Sequence, residues 1–354
     1  YSFCAGARGV DVVYLDLAKA FDRVNHYLLL DKLEYFGFSV SLVKLLLSYL
    51  SGRQLSIVVN GFVSSQYLQT SGIPQGSNLG PLLFLLFIND LPDAIKDVHC
   101  LLFADDVKLY REVHSVSDCL VLQRSMKQVI TWCSLNDMEL NYEKCSMISY
   151  TRSKDEIGFN YVLQSYEVKR VLTITDLGVI FDRQLTFNEH VKSVVAASNK
   201  TMGFIRRNTR DFDDISALKS LYFGMVRSKM EYCSVVWFPY YIQQSRLLEN
   251  VQRRFLKYLY FKEIKEYPPQ ATDQHFLLEK YEMESLKFRR IVHCVAFIFK
   301  LNRGIIVAPN LLQQIYFSVP RLGNRHQHTF AQPFCRTNIG LKSPLHNMYQ
   351  YYNG

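Results

Sequence analysis

Carboxylate side chains occur at two places where strand-like segments of this chain end. Asp16 lies near the end of a β-patterned run, Val12–Leu17, and Asp105 and Asp106 lie between two further strand-like segments that predict a hairpin. We expect neighbouring strands to bring these three carboxylates to one point. Two Mg²⁺ ions bound about 3.5–4 Å apart by such a group stabilise the attacking and leaving oxygens of an in-line displacement at phosphate. The order and spacing of the acidic segments therefore predict metal-dependent nucleotide polymerisation.

The adjacent residues Asp105 and Asp106 are expected to have different roles. Successive side chains of an extended strand point in opposite directions, so both cannot face one metal site. We assign Asp105 as the direct metal ligand beside Asp16 and Asp106 as a supporting catalytic charge, because Asp106 lies nearer the turn. The competing interpretation is ordinary turn chemistry, since Asp bends the backbone at hairpin tips. Asp22 and Asp31 are interpreted as helix caps.

The segments around these carboxylates predict the elements that must position them. Gly80-Pro81 indicates a helix start, because proline at the first helical position loses no needed donor. The apolar run that follows, Leu82–Ile88, is shorter than the ~20 residues needed to cross a membrane, and it is interpreted as a buried helix beneath the catalytic strands. Val116–Leu135 has helical spacing. Its predicted buried stripe consists of Val116, Leu120, Leu122 or Gln123, Met126, Ile130 and Cys133.

The rest of the chain alternates between short strands and long helices. Met147–Tyr150, Tyr161–Leu163 and Gly178–Phe181 are predicted strands. The pattern is then helical from Asn188 to Tyr232, and a later helix is predicted over Glu282–Lys300. The remaining C-terminal residues give the least structural information.

The composition describes a large, basic chain. Its 354 residues are 49% hydrophobic, which is enough to bury more than one core, so two or three subdomains are expected. The net charge of +9 suits a polyanionic partner such as nucleic acid. The eight cysteines show no C-x-x-C spacing, so neither a zinc knuckle nor a disulfide framework is supported and reduced thiols are expected.

Five short blocks carry most of the functional information. They are Leu15–Asp22, Gly72–Ser77, Leu79–Phe84, Phe103–Asp106 and Leu140–Cys145. In this order they resemble the palm motifs of reverse transcriptases from non-LTR (LINE-type) retrotransposons, especially the jockey-like group of animals. The resemblance continues through the segments 176–179 and 185–190 and then weakens.

The resemblance implies an α+β fold in which helices back a palm-type antiparallel sheet, as in right-hand polymerases, and a helical thumb follows. It also implies that the three later predicted strands finish the sheet and form the hairpin that grips the primer end. The implied domains are a palm with partial fingers over residues 1–190, a thumb over 191–262, and a C-terminal helical and loop region over 263–354. The implied activity adds deoxynucleotides to a DNA primer on an RNA template. Asp16, Asp105 and Asp106 would hold two Mg²⁺ ions, with Mn²⁺ as an alternative, in an intracellular protein of the nucleus or cytoplasm.

Three further residues match positions that contact substrate in this family. Phe21 would lie under the sugar of the incoming nucleotide and exclude a 2′-hydroxyl, although an aromatic residue in an apolar run is also ordinary core packing. Gln75 would lie beside the nucleotide and template, unless its loop is only a turn. Lys144 would act near the triphosphate as a proton donor or charge partner, unless it is simply solvated.

The helical region after Asn188 would bind the template-primer duplex. Lys192, Arg206 and Arg207 are the predicted nucleic-acid-binding residues, because Lys and Arg neutralise phosphates without reading sequence. The competing interpretation is a solvated helix face.

The chain begins at Tyr1, without Met and about a dozen residues before the first catalytic strand, so the resemblance implies an N-terminally truncated element polymerase that lacks part of the fingers. One alternative is a catalytically inactive fragment that still binds nucleic acid. Another is an RNA-templated RNA polymerase, which shares the acidic palm but uses a polar group where this chain has Phe21.

Overall fold

The protein is described by a computed structural model over residues 9–152, 157–239, 241–319, 328–335 and 338–353. Its contacts divide it into two units, one extending to Leu172 and the other beginning at Thr173. We refer to them as the N-terminal unit and the C-terminal unit. The predicted α+β class, with a largely antiparallel sheet and helices, is confirmed. The domain boundaries predicted at residues 190 and 262 stay predictions.

The N-terminal unit contains eleven of the described strands and six of the described helices. The strands are β1 (Gly9–Asp16), β2 (Gln54–Leu55), β3 (Val58–Val59), β4 (Phe62–Val63), β5 (Tyr67–Leu68), β6 (His99–Phe103), β7 (Asp106–Val113), β8 (Ser146–Tyr150), β9 (Val162–Leu163), β10 (Tyr166–Glu167) and β11 (Lys169–Arg170). The helices are α1 (Ala20–Arg23), α2 (His26–Tyr35), α3 (Val40–Leu50), α4 (Gly80–Ile88), α5 (Leu91–Ala94) and α6 (Val116–Leu135).

Strand β1 lies at the centre of a five-stranded sheet with the order β11-β8-β1-β7-β6. It pairs antiparallel with β7 on one side and with β8 on the other, and only β11 joins the sheet in parallel. The register places Val13 opposite both Leu109 and Met147. Pairing on both sides fixes this register, because a shift by one residue would turn every side chain of β1 to the other face.

The two faces of β1 serve different purposes. Val13, Leu15 and the following Leu17 are at most 3% exposed and belong to the main core of this unit. Phe84 of α4 and Met126 of α6 belong to the same core. Since side chains alternate along a strand, the residues between them point to the opposite face. In the sequence Val12–Leu17, one alternating set of side chains thus fills the core. The other set lies on the opposite face of the sheet and ends at Asp16.

Helix α6 spans the residues that the sequence predicted, but its buried face is rotated from the predicted stripe. Val116 and Leu120 are 54% and 51% exposed, so their inclusion was wrong. Leu122, Met126 and Cys133 are buried as predicted. The observed stripe is Cys119, Leu122, Met126, Val129 and Cys133.

The predicted helix caps were also wrong. Asp22 lies inside α1 and Asp31 inside α2. The cap of α2 is Asn25, whose side-chain oxygen accepts from the amides of Tyr27 and Leu28. The predicted start of α4 at Gly80-Pro81 is confirmed.

The C-terminal unit is mainly helical. It begins with two strands, β12 (Thr173–Asp176) and β13 (Val179–Asp182), which form a two-stranded sheet separate from the main sheet. Among the described strands, β9 pairs with β10 in another separate sheet, so the expectation that the later strands finish the main sheet holds for β8 but not for β9. The expected hairpin is present as β12 and β13. The helices are α7 (Asn188–Asn208), α8 (Ile215–Tyr222), α9 (Ser228–Glu231), α10 (Ile242–Ile264), α11 (Gln274–Lys280), α12 (Leu286–Asn302), α13 (Pro309–Leu312), α14 (Asn338–Leu341) and α15 (Pro344–Asn353), with a π-helical turn at Phe223–Arg227.

Among the described helices, none combines the length and the apolar character that a membrane crossing would require.

Candidate active site

The carboxylates predicted from sequence come from a strand end and a hairpin. Asp16, the last residue of β1, lies directly opposite Asp106, the first residue of β7. Directly opposite residues of an antiparallel pair share a face, with Cβ atoms about 4.5–5.5 Å apart. Asp105 precedes them in a two-residue turn with Ala104, whose φ is 51°. The predicted hairpin is therefore confirmed, but Asp105, and not Asp106, lies in the turn; the positional reason given for their roles was wrong.

A cavity of about 480 Å³ opens beside these residues in the N-terminal unit. It brings together five predicted site residues that are far apart in sequence. Asp106 is absent from its described lining, and three polar residues that the sequence analysis did not assign are present. The lining consists of Asp16, Leu17, Ala18, Lys19, Ala20, Phe21, Asp22, Gln75, Asp105, Asn141 and Lys144.

Lys144 is placed beside Asp16 by a short connection that follows α6. The amide of Asn141 donates to the carbonyl oxygen of Asp16 at 2.8 Å, and the amide of Lys144 donates to the carbonyl oxygen of Asn141 at 3.1 Å. The ammonium nitrogen of Lys144 then lies 3.6 Å from Asp16 Oδ2. Its side chain remains 68% exposed. The pair can therefore separate at little cost when another cation or an anion enters the cavity.

The thiols behind this strand are electrically neutral. Burial raises the pKa of the Cys145 thiol and raises that of Cys133 to about 12. Neither thiol is ionised at neutral pH, so neither adds a negative charge near Asp16. The carboxylates of the cavity are its main source of negative charge.

Phe21 forms part of the wall of the cavity and is also packed. Its ring stacks on that of Phe84 with centroids 4.6 Å apart and planes 20° apart. Its carbonyl oxygen accepts a hydrogen bond from the amide of Ile73 at 2.9 Å. The two interpretations of Phe21, substrate contact and core packing, are therefore compatible in this fold, because one face of the ring is supported by α4.

The loop that carries Gln75 lies against α1. The amide of Gly72 donates to the carbonyl oxygen of Val24 at 2.8 Å, and the Gly72 carbonyl oxygen lies 2.7 Å from Nε2 of the buried His26. Gly72 has φ +86°, and a Cβ there would lie 2.7 Å from the carbonyl oxygen of Asp22. Only glycine fits this position without moving the backbone. Gln75 Nε2 donates to Asp22 Oδ1 at 2.8 Å.

Lys19, Asp22 and Asn141 are the polar lining residues that sequence reasoning missed. Lys19 has a left-handed backbone with φ 49° at the start of α1, which is uncommon for a residue other than glycine. Its exposed ammonium group forms no salt bridge with the described residues. Its position three residues after Asp16 was the available signal, because the turn after a strand end must place such residues beside the strand.

The predicted nucleic-acid-binding residues lie on α7, in the C-terminal unit. Lys192 pairs with Glu189 at 2.8 Å, and Arg206 donates to the hydroxyl of Tyr267 at 2.8 Å. At 3.6 residues per turn, Lys192 and Arg206 are about 40° apart around the helix axis. Arg206 and Arg207 are exposed. They form one basic helix face, and their role in binding stays a prediction.

The carboxylates of the cavity are the groups that could bind a metal ion. Within the residues that the structure describes, no three His, Cys, Asp or Glu side chains converge as a ready-made site. Mg²⁺ does not require one, since it is commonly held by one or two carboxylates, water and substrate phosphates. Asp16 and Asp105 supply two carboxylates to one cavity. The residues present fit a hard divalent cation that enters with its substrate.

Comparison with known proteins gives a consistent family. Residues 8–181 match the family described as reverse transcriptase (RNA-dependent DNA polymerase). The chain is 31% identical over 198 residues to the RNA-directed DNA polymerase from mobile element jockey of Drosophila funebris, which covers 51% of this chain and 20% of that protein. It is 31% identical over 195 residues to the probable RNA-directed DNA polymerase from transposon X-element of Drosophila melanogaster, with the same coverage.

One solved structure aligns with a larger part of the chain. A solved telomerase from Candida albicans, in complex with a fragment of telomeric RNA, aligns with 75% of this chain and 50% of that chain at 12% identity and a TM-score of 0.38. The chain spans about a fifth of the length of the jockey and X-element polymerases. Through residues 8–181, it belongs to the reverse transcriptase family.

Proposed function

We propose that this chain supplies the palm of an RNA-directed DNA polymerase of a non-LTR retrotransposon. The observation that carries the proposal is the shared cavity of Asp16 and Asp105, which are 89 residues apart in sequence and come from the end of β1 and from the β6–β7 turn. Phe21, Gln75 and Lys144 line the same cavity. Its volume of about 480 Å³ is within the ordinary range of small-molecule sites. The substrates proposed are an RNA template, a DNA primer and a deoxynucleoside triphosphate.

Asp16 and Asp105 are the residues that would hold Mg²⁺, with Asp106 opposite Asp16 adding negative charge to the same edge of the sheet. Two ions, or Mn²⁺ in their place, would stabilise the attacking and leaving oxygens at phosphate. The strand end fixes Asp16, which pairs with Asp106 of β7 and whose carbonyl oxygen accepts a hydrogen bond from the amide of Asn141 at 2.8 Å. This rigidity orients the carboxylate before substrate arrives.

The two lysine side chains of the cavity, Lys19 and Lys144, are proposed to have a role separate from that of the carboxylates. Lys144 lies 3.6 Å from Asp16, and Lys19 is exposed in the same lining. A triphosphate brings several negative charges into a cavity that already holds carboxylates, so nearby ammonium groups reduce the repulsion. Lys144 can also donate a proton to the leaving pyrophosphate. Phe21, supported by Phe84, would leave no room for a 2′-hydroxyl.

The basic face of α7 is proposed to bind the template-primer duplex. Phosphate contacts of this kind are independent of sequence. They weaken as the salt concentration rises, because the counterions that binding releases then contribute less free energy. Lys192, Arg206 and Arg207 provide the charge, and Arg254 of α10, which donates to Asn199 of α7 at 3.1 Å, extends it. No base contact is required for this role.

The test is primer extension by a chimaera in which residues 8–181 replace the matching segment of the jockey polymerase. Asp16→Asn and Asp105→Asn each remove a negative charge while keeping side-chain size. We expect each to reduce deoxynucleotide incorporation on a primed RNA template by at least about a hundredfold, as for the loss of one electrostatic contact in an active site. Asp31→Asn, an exposed substitution on α2, is the matched control and should extend primers normally.

The outcomes separate the proposal from its alternative. Near-parental extension by Asp16→Asn or Asp105→Asn would contradict the metal assignment. Salt-sensitive duplex binding by the 354-residue chain, together with no Mg²⁺-dependent extension by the parental chimaera, would favour an inactive nucleic-acid-binding fragment.

A further inference from the structure

Asp22 and Gln75 form a hydrogen-bonded pair inside the cavity. Gln75 Nε2 donates to Asp22 Oδ1 at 2.8 Å, across 53 residues of sequence. Both residues belong to the cavity lining. Asp22 is therefore placed to act on Gln75, and not on the start of a helix.

The chemistry of the pair decides how the Gln75 amide is oriented. An ionised carboxylate only accepts hydrogen bonds, whereas an amide has a donating NH₂ end and an accepting carbonyl end. Asp22 can therefore pair only with the NH₂ end of Gln75. The carbonyl end, Oε1, makes no hydrogen bond with the described residues. It remains an acceptor on an exposed side chain of the cavity lining.

The main chain holds the two segments together independently of this side-chain pair. The hydroxyl of Ser71 donates to the carbonyl oxygen of Asp22 at 3.0 Å, and the amide of Ile73 donates to that of Phe21 at 2.9 Å. Gly72 packs directly on the Asp22 backbone. Replacing the Asp22 carboxylate should therefore leave the loop in place. The exposed pair also contributes little to stability, since solvent competes for both partners.

We propose that Asp22 is a positioning residue that fixes the Gln75 amide with its carbonyl oxygen available to a hydrogen-bond donor of the bound nucleotide or template. This inference rests on the proposed polymerase function. A fixed acceptor recognises an N–H or O–H group and disfavours a ligand that presents only acceptors there. A freely rotating amide would accept either. Asp22 thereby contributes to substrate selection without touching substrate.

The first experiment uses the parental chimaera, whose primer extension establishes the proposed function separately. In Asp22→Asn, residue 22 can donate as well as accept, so the Gln75 amide loses its single orientation. We expect kcat/KM for nucleotide incorporation to fall about tenfold. In a Gln75→Ala background the same substitution should have no further effect, because the amide to be oriented is gone. Equal losses in both backgrounds, or no loss in either, would overturn the inference.

A reciprocal exchange tests orientation against a merely structural role. In Asp22→Asn combined with Gln75→Glu, the amide at position 22 donates to the carboxylate at 75, whose second oxygen stays an acceptor. We expect this double variant to recover at least threefold over Asp22→Asn alone. A double variant no better than the worse single variant would refute the proposed orientation. Asp31→Asn again serves as the matched control.

The donor is identified by changing the substrate. If a sugar hydroxyl of the nucleotide donates, the Asp22→Asn defect disappears with 3′-deoxy nucleotides. If the template 2′-hydroxyl donates, it disappears on a DNA template. A defect that persists with both assigns the donor to a base.

Discussion

At the scale of single residues, Phe21 is packed in the core and also belongs to the cavity lining. Its ring stacks on Phe84, which is fully buried, and another part of the side chain lines the cavity. Under the proposed function, the stacked partner would keep the Phe21 ring from moving away from a larger sugar. Discrimination against a 2′-hydroxyl would then depend on α4 as well as on Phe21.

Phe21→Val is expected to admit ribonucleotides. The smaller side chain leaves space where a 2′-hydroxyl would otherwise clash, and a few missing carbon atoms in a pocket change discrimination by roughly 10–200-fold. The measurement is the ratio of kcat/KM for deoxy- and ribonucleotides in the chimaera.

The control for this prediction is Phe84→Leu, which weakens the support but leaves the Phe21 ring in the lining. It should change the ratio less than Phe21→Val. An unchanged ratio in Phe21→Val would show that another residue excludes the 2′-hydroxyl.

Sequence reasoning identified the residues of the site better than their roles. Asp16 and Asp105 were located because strand patterns end beside them, but the turn register depends on pairing of Phe103 with Asp106. The turn places Ala104 at φ 51°, a conformation for which glycine or asparagine is the usual residue. An alanine at this position therefore does not indicate the turn in the sequence. Asp22 was interpreted as a cap, since its partner Gln75 lies 53 residues away and no local pattern reveals it.

At the scale of elements, the first turn of α7 contains a buried histidine. His190 is 3% exposed, and its Nδ1 accepts from the amide of Ile180 at 3.2 Å. Its Nε2 has no hydrogen-bond partner among the described residues, and its ring meets that of Trp237 edge-on with centroids 5.0 Å apart. Burial lowers the pKa of His190. The neutral ring thus joins β13 to α7.

We expect this histidine to make the C-terminal unit sensitive to acid. Unfolded histidine has a pKa of about 6.5, and the folded pKa is lower, so the unfolded state binds more protons between the two values. Stability is fully present above about pH 6.5 and is lost as the pH falls through the folded pKa. The free energy of unfolding from urea titrations at several pH values measures this, and His190→Gln should flatten the dependence.

His275→Gln is the matched control for the acid prediction. This histidine is 74% exposed and pairs only with Glu279 on the same helix, at 3.4 Å. Its replacement should leave the pH dependence almost unchanged. A slope that survives His190→Gln would assign the acid sensitivity to other groups.

If the basic face of α7 binds duplex, the affinity should depend on salt concentration through its arginines. Arg206→Gln combined with Arg207→Gln should weaken duplex binding and reduce the slope of log affinity against log salt by about one to two, because up to two phosphate contacts are lost. The measurement is duplex affinity across a salt series. Lys300→Gln combined with Arg303→Gln removes the same charge from the exposed end of α12 and should leave the slope unchanged.

The salt prediction has a clear contrary result. An equal reduction in slope by both pairs of substitutions would show that net charge alone, and not this helix face, determines binding.

Element positions were predictable from the sequence where the local signal was strong. The ends of α6 were predicted correctly, but its buried face was not, because apolar residues such as Leu120 also occur on the exposed side. Packing against the sheet decides between such faces. The strands β9 and β13 were located, yet each pairs with its sequence neighbour in a separate sheet. The alternating pattern of a strand does not specify which other strand it pairs with.

At the scale of the whole molecule, each unit has its own buried side chains. Phe87 is fully buried in the N-terminal unit, where it meets Trp132 edge-on. Phe255 is fully buried in the C-terminal unit, stacked on Tyr222 with centroids 4.1 Å apart. The expectation of more than one core, drawn from length and hydrophobic content, agrees with this division. The domain boundary at residue 190, placed where the sequence pattern becomes helical, stays a prediction.

Separate cores predict separate thermal transitions in the intact chain. Phe87→Ala and Phe255→Ala should each remove about 3–5 kcal/mol from the unit that contains it. Differential scanning calorimetry should show one transition lowered by Phe87→Ala and a different transition lowered by Phe255→Ala. A common shift of a single transition by both variants would mean that the two units unfold cooperatively.

The two-sided pairing of β1 limits how a gene for this domain can change over generations. A point substitution between Gly9 and Asp16 alters one side chain, whereas loss of a single codon there exchanges the inward and outward positions of the residues that precede it. Val13 and Leu15 would then no longer match the hydrophobic interior while Asp16 keeps its place. Lineages that retain the proposed polymerase activity should therefore show amino-acid substitutions along this strand but no insertions or deletions.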